Sequence, residues 1–369
     1  MSDFFIQSDI SEIVTRIQNI SQDLSGKTVL LTGARGFLGR YFIEIFKQLN
    51  NQNLVLPVHV IALDNLITSG KFSEKIIDDS NIEFIQHDVT EKFSCNKKID
   101  YVIHAAGIAS PEYYQKYPFE TLDVAINGTK NMLQLAKENN SKFTFFSSSE
   151  IYGNPDSKNI PTKEEYWGNV SSLGPRACYD ESKRVGETLC YVFNQQFGVN
   201  VNIVRPFNFY GPGMQEKDFR VLPNFASRIK ANKPLKVYGR GDQTRTFCYI
   251  TDALTGLFQV ILRGVPNEVY NIGNPEPEIS VIHLAEMISK IIDSKTSHDV
   301  INYPDNYPSN EPTRRCPNIE KIKNDLDYQP QVKLEDGLKR FFSWTDLNYI
   351  GNYKNLYNYK LDLNDNINL

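Results

Sequence analysis

Thr28-Val29-Leu30-Leu31-Thr32-Gly33-Ala34-Arg35-Gly36-Phe37-Leu38-Gly39 is the stretch that decides the fold. An apolar run of strand length ends in a turn with glycines at 33, 36 and 39. The pattern over 36–49 then puts Phe42, Ile45 and Phe46 on one helical face. GxxGxxG between a strand and a helix lets backbone amides approach a pyrophosphate at the helix N-terminus, because no side chain intervenes. A glycine triplet alone says little; its place between strand and helix makes the reading specific.

The same rhythm continues outward. Residues 58–63, 82–85, 101–104, 143–146 and 201–204 read as short apolar strands, and 119–138 and 179–197 as helices. Short apolar strands alternating with helices predict an α/β fold: a Rossmann-type doubly wound parallel sheet covered on both faces. After Pro206, glycine and proline punctuate the chain (Gly211-Pro212-Gly213, Gly239, Gly241, Gly264, Pro266). That half reads as a smaller α/β substrate-binding cap. The expected division is 1–26 as an N-terminal helical extension, 27–205 as the dinucleotide-binding domain with 243–273 returning to it, 206–345 as the substrate-binding region, and 346–369 as a tail. In the extension, 8–21 reads as an amphipathic helix capped by Ser8 or Asp9, with Ile10, Ile13, Val14, Ile17 and Ile20 on one face, docked on the body or on a partner.

Forty basic against 44 acidic residues give a net charge of −4, which argues against a nucleic-acid partner. An anionic small substrate would have to be met by a few local arginines. No apolar run approaches the ~20 residues that span a bilayer, and the N-terminus lacks the pattern of a secretory signal. Five dispersed cysteines without metal-ligand spacing fit a reducing, cytoplasmic setting.

The second strand ends at Asp64, where a carboxylate accepts from ribose hydroxyls and repels a 2′-phosphate, favouring NAD over NADP. Asp88, after the third strand, is placed for the adenine amino group, and Ala105-Ala106-Gly107 is small enough for backbone to lie against a cofactor. Tyr179-Asp180-Glu181-Ser182-Lys183 sets a phenol and an ammonium at i and i+4 on one helical face. A nearby cation is expected to bring the phenol, with its ordinary pKa of ~10, toward useful basicity. Ser147-Ser148-Ser149-Glu150 closes a strand, where a hydroxyl can share a substrate proton with Tyr179. His104 ends another strand; without an acid partner in its motif it reads as structural.

These residues together resemble the extended short-chain dehydrogenase/reductase superfamily of nucleotide-sugar epimerases, dehydratases and decarboxylases, over roughly residues 27–345. The closest pattern is that of the UDP-glucuronate decarboxylases (UDP-xylose synthases). It is carried by Ala62-Leu63-Asp64-Asn65, His87-Asp88-Val89, Ser148-Ser149-Glu150-Ile151-Tyr152-Gly153, Gly174-Pro175-Arg176-Ala177-Cys178-Tyr179-Asp180-Glu181 and Gln243-Thr244-Arg245-Thr246-Phe247-Cys248-Tyr249. Arg315-Cys316-Pro317 stands where that family has Arg-Lys-Pro, and Ser182 where it has glycine.

The resemblance implies NAD as cofactor, held by Gly33, Gly36, Phe37, Leu38, Gly39, Asp64, Asn65, Asp88, Val89, Ala105, Ala106, Asn127, Ser147, Tyr179 and Lys183. It implies Tyr179, Lys183, Ser148, Glu150 and Arg315 as catalytic residues, and Ser149, Asn208, Arg220, Tyr238 and Arg245 around a nucleotide-sugar substrate. A homodimer formed through paired helices is also implied. Ser149 occupies the place of the aspartate that protonates the leaving hydroxyl in 4,6-dehydratases, and simple 4-epimerases usually have no acid at the place of Glu150. The serine–glutamate pair therefore points to decarboxylation of UDP-glucuronate, Arg315 anchoring the sugar carboxylate. A 4-epimerase or 4-dehydrogenase is the alternative; a 4,6-dehydratase and a non-catalytic NAD-binding regulator come behind it.

Overall fold

The computed structural model describes residues 4–69, 79–218, 220–292, 296–302 and 312–352. Seven strands form the central sheet: β1 (Thr28–Thr32), β2 (His59–Asp64), β3 (Ile82–Gln86), β4 (Tyr101–His104), β5 (Lys142–Phe146), β6 (Val201–Pro206) and β7 (Val269–Ile272). Their order is β7-β6-β5-β4-β1-β2-β3, and every pairing is parallel. Alternation along β1 shows why both faces are covered. Val29 and Leu31 enter one apolar cluster and Leu30 the other. Helices α2 (Phe37–Gln52) and α4 (Ile250–Arg263) supply the first cluster. Thr129–Asn139 and α3 (Ala177–Phe197) supply the second.

The strand order reverses between β1 and β4, so a crevice opens at their carboxyl ends. The glycine turn after β1 and Ala105 after β4 meet there. An added Cβ on Gly33 would lie 2.9 Å from the Ala105 carbonyl.

The extension helix α1 (Gln7–Arg16) packs on α2 and α4, with Ile10, Ile13 and Ile17 fully buried. It docks on the body. It stops at Arg16 rather than 21, where one 3₁₀ turn follows at Ser21–Leu24. Ile6, not Ser8 or Asp9, precedes its first turn. Asp9 faces inward instead, accepting from the Tyr249 hydroxyl at 2.6 Å and from Arg340 at 3.0 Å. The helix expected over 119–138 comes as three consecutive pieces, Pro118–Asp123, a wider π-turn at Val124–Gly128, and Thr129–Asn139.

Beyond β6 the cap is built from short pairings. Thr244–Arg245 lies between Ile279–Ser280 and Arg314–Arg315, and Leu235–Tyr238 pairs with His298–Ile301. Within 243–273, therefore, Thr244–Arg245 stays with the cap while Val269–Ile272 is the sheet's edge strand. The helix α5 (Leu334–Asn348) closes the structure against α1 through Arg340, and residues 353–369 lie outside the described part. No helix among the described residues is long and apolar enough to cross a membrane.

Candidate active site

The crevice is a cleft of about 430 Å³, within the range of ligand pockets. Gly33, Gly36, Phe37, Leu38, Gly39 and Ala105 line its sheet end. Gly33 has φ +70°, which only glycine adopts without strain. A Cβ on Gly39 would come 2.1 Å from the Gly33 carbonyl, so the helix could not begin so close to the strand with any other residue. Gly36 caps α2, leaving the amides of its first turn without intrahelical partners. This uncharged cradle fits a pyrophosphate.

At the end of β2, Asp64 accepts from the Arg35 amide at 2.8 Å and the Leu66 amide at 2.7 Å. Asn65 donates to Asp88 at 2.9 Å, and Thr90 donates to its other oxygen through amide and hydroxyl. Burial works to raise the Asp88 pKa, but these hydrogen bonds outweigh it and hold the carboxyl below its ordinary value. Asp64, Asn65, Asp88, Val89 and Ala106 stand outside the lining of the cleft, at or beyond the ends of β2, β3 and β4. Val89 is buried in the apolar core, and the Ala106 amide is held by Thr32 Oγ1. Asn127 also stands outside that lining, exposed in the π-turn and donating to Asp123.

Tyr179 sits in the first turn of α3 with Lys183 one turn on, and both line the cleft with Ser147, Ser148 and Ser149. Ser148, extended at the end of β5, hydrogen-bonds the Tyr179 phenol and accepts the Glu150 amide at 3.2 Å. Ser147 donates to Glu187 at 2.5 Å, which fixes the strand end through the Glu187–Arg205 pair. Tyr114 stacks on Tyr179 with centroids 5.3 Å apart. The Lys183 ammonium donates to the Phe146 carbonyl at 2.9 Å and lies 5.8 Å from the Tyr179 ring centre. Burial lowers its pKa to about 8. Tyr179 is pushed up to about 12 by burial, against the Ser148 hydrogen bond and with the charges of Glu150 and Asp180 adding to the rise. This differs from the expectation that the lysine would lower it. The ammonium is spent on the Phe146 carbonyl, so desolvation of the phenolate dominates.

At the cap end, Glu150 is clamped between two arginines. Arg315 reaches it at 2.8 Å, and Arg176 pairs with the same oxygen. Arg315 also approaches Asn208 Oδ1 at 3.5 Å. Arg176 continues to Asp180 at 3.6 Å. Asn208, Arg220, Tyr238 and Arg245 line the remaining wall. Arg220 is half-exposed there and held by Asp218 at 3.0 Å; Arg245 donates to the Thr244 carbonyl at 2.8 Å. His104 is buried between Thr32 and Thr129, at 2.8 and 3.2 Å, and burial together with the Lys183 charge lowers its pKa to about 3. It is a neutral structural group.

Residues 29–273 match the model of the NAD dependent epimerase/dehydratase family. The chain belongs to this family. It is 36% identical to UDP-glucuronic acid decarboxylase 1 of Xenopus tropicalis, over 91% of this chain and 79% of that protein. It is 38% identical to UDP-glucuronic acid decarboxylase 6 of Arabidopsis thaliana, over 85% of this chain and 87% of that one. Among solved structures, the epimerase Mth375 of Methanothermobacter thermautotrophicus superposes with a TM-score of 0.76 at 27% identity, covering 91% of this chain and 96% of the other. The UDP-glucuronic acid 4-epimerase of Bacillus cereus, in complex with UDP-glucuronic acid and NAD, superposes with a TM-score of 0.71 at 26% identity, covering 87% and 100%.

NAD is the cofactor of this epimerase/dehydratase chain, and the glycine cradle together with Asp64 suits it. Two residues of the charged end had no assigned role in the sequence reading, Arg176 and Asp180. The signal was present as spacing. Arg176 stands just before the helix, and Tyr179, Asp180 and Lys183 follow three, four and seven positions on, so the first two turns carry all of them on one side.

Proposed function

We propose that this chain decarboxylates UDP-glucuronate to UDP-xylose through a transient 4-keto sugar, in a reducing compartment where its five thiols stay unpaired. The observation that carries the reading is Glu150 held by Arg315 and Arg176 in the same cleft as Tyr179. Tyr179, Arg176 and Arg315 line one cleft, and we read a sugar with its 4-hydroxyl at Tyr179 as placing its C6 carboxylate at the guanidiniums. Serine at 149 leaves no acid there to expel a hydroxyl.

NAD supplies a reversible hydride acceptor for C4. Burial holds Tyr179 as a neutral phenol in the free protein, so it acts as base only once the positive charge of bound NAD+ joins that of Lys183 to favour the phenolate. Tyr179 then takes the proton of the 4-hydroxyl, and Ser148 shares that hydrogen bond. Once C4 is a ketone, the carboxylate is that of a β-keto acid. The C5–C6 bond breaks, its electron pair moves toward the C4 oxygen as an enolate, and carbon dioxide leaves. Tyr179 and Ser148 donate hydrogen bonds to that oxygen where its charge develops. Arg315 anchors the carboxylate, and Glu150 governs protonation at C5. Asn208, Arg220, Tyr238, Arg245 and Ser149 hold the nucleotide and sugar; the guanidinium forks suit a diphosphate.

Incubation with UDP-glucuronate and NAD+ should release carbon dioxide and UDP-xylose. Release of none, with UDP-galacturonate formed instead, would make it a 4-epimerase, an activity that the B. cereus neighbour's name carries. We also assign a homodimer through the helical faces at 118–139 and 177–197, supported by exposed Phe119 and Tyr191. Light scattering should give twice the 42.3 kDa chain mass; a monomer would refute it.

A further inference from the structure

Behind Glu150 lies a second carboxyl that the mechanism above does not use. Asp180 is 4% exposed, and its Oδ1 has no hydrogen-bond partner. Its Oδ2 faces Arg176 Nε at 3.6 Å, and Arg176 also holds Glu150. The groups around it come from three places: Glu150 from the turn after β5, Arg315 from the cap strand, and Arg176 from the loop entering α3, with Tyr179 and Cys178 on its own turn. Glu150 and Asp180 therefore both pair with the buried Arg176, and Arg315 pairs with Glu150. A buried carboxylate oxygen without a donor is costly when ionised. A hydroxyl there would not be.

We infer that Asp180 takes up a proton when the sugar carboxylate enters the cleft, and so stores at the site the proton that decarboxylation consumes. This rests on the decarboxylase reading. The balance is simple: R–COO⁻ plus H⁺ gives R–H plus CO₂, so one proton enters per turnover. A third carboxylate drawn to Arg315 and Arg176 competes for the same positive charge, and the carboxyl with an unpartnered oxygen is the one that neutralises. When carbon dioxide leaves, that competition ends, Asp180 ionises again, and the proton is free to reach C5 by way of Glu150, which lines the cleft. Burial first, and then the charge of Glu150, already raise the Asp180 pKa in the free protein, against the pull of Arg176 and Arg315. Asp180 acts through its neighbours and is a positioning residue for the proton.

The test is calorimetric titration of the full chain carrying Tyr179→Phe, loaded with NAD+ and unable to turn over. UDP-glucuronate and UDP-glucose are each titrated in two buffers of different ionisation enthalpy, from pH 6 to 9. The expected result is uptake of up to about one proton with UDP-glucuronate and none with UDP-glucose. The UDP-glucuronate Kd should then rise by up to about tenfold per pH unit on the alkaline side, while the UDP-glucose Kd stays flat. Adding Asp180→Asn should abolish uptake and flatten the UDP-glucuronate profile. Equal proton uptake for the two ligands in the parent protein, or uptake surviving Asp180→Asn, would overturn the proposal and leave the decarboxylase reading standing. Binding of UDP-glucose without binding of UDP-glucuronate would overturn both.

Discussion

Two clusters of acids and arginines are packed into this protein, and they are built differently. In the first, α1 is locked to the body by Asp9, Glu12 and Asp252 with Arg16 and Arg340. Every carboxylate oxygen there has a donor. Asp252 accepts from Arg16 at 2.6 Å, from the Gln331 amide at 2.9 Å and from the Val332 amide at 2.9 Å. Glu12 accepts from Arg340 and Arg16 as well as from the Thr251 hydroxyl at 3.1 Å. In the second, Glu150, Arg176, Asp180 and Arg315 meet at the edge of a cleft, with one carboxylate oxygen unpartnered. A saturated network fixes its charges and serves the fold. An incomplete one can change its charge when an anion arrives.

The largest effect separating these regions should come from the cleft. Tyr179→Phe should lower kcat by about 10³-fold, or about 4 kcal/mol, because a positioned acid–base group is lost. NAD should still bind, its affinity measured by titration falling far less than kcat because the glycine cradle remains; normal turnover would remove Tyr179 from the mechanism. Next, Asp252→Asn should cost about 3 kcal/mol of stability, since it leaves Arg16 or a buried amide facing a donor. Chemical denaturation would read this, and kcat per folded molecule should stay at the parent value. Smallest should be the stability change in Asp180→Asn, within about 1 kcal/mol, because the unpartnered oxygen has no hydrogen bond to lose. A loss in Asp180→Asn as large as in Asp252→Asn would erase the contrast.

Much of the site was legible from local spacing. Gly33, Gly36, Gly39, Tyr179, Lys183 and Ser148 fall in the cleft, and so do Glu150 and Arg315, which the family resemblance rather than spacing implied. Other readings failed where packing overrode a local pattern. The helical pattern over 119–138 gives no hint of the π-turn that interrupts it at Val124–Gly128. Asp9 has the chemistry of a helix cap, yet it is drawn inward by Tyr249 and Arg340, residues 240 and 331 positions away. In the free protein, burial opposes the basicity expected of Tyr179 from its lysine neighbour, and no spacing reports burial.

By itself the sequence determined the features whose cause is local. Missing side chains at 33, 36 and 39 dictate a strand–turn–helix that admits a dinucleotide, and an i, i+4 phenol and ammonium must share a helical face. Only the tertiary structure decided what depends on bringing distant segments together and excluding water. Glu150, Arg176, Asp180 and Arg315 become one electrostatic unit because a turn after β5, the start of α3 and a cap strand converge. The raised Asp180 pKa follows from that convergence, since charge separation and desolvation depend on positions in space rather than along the chain.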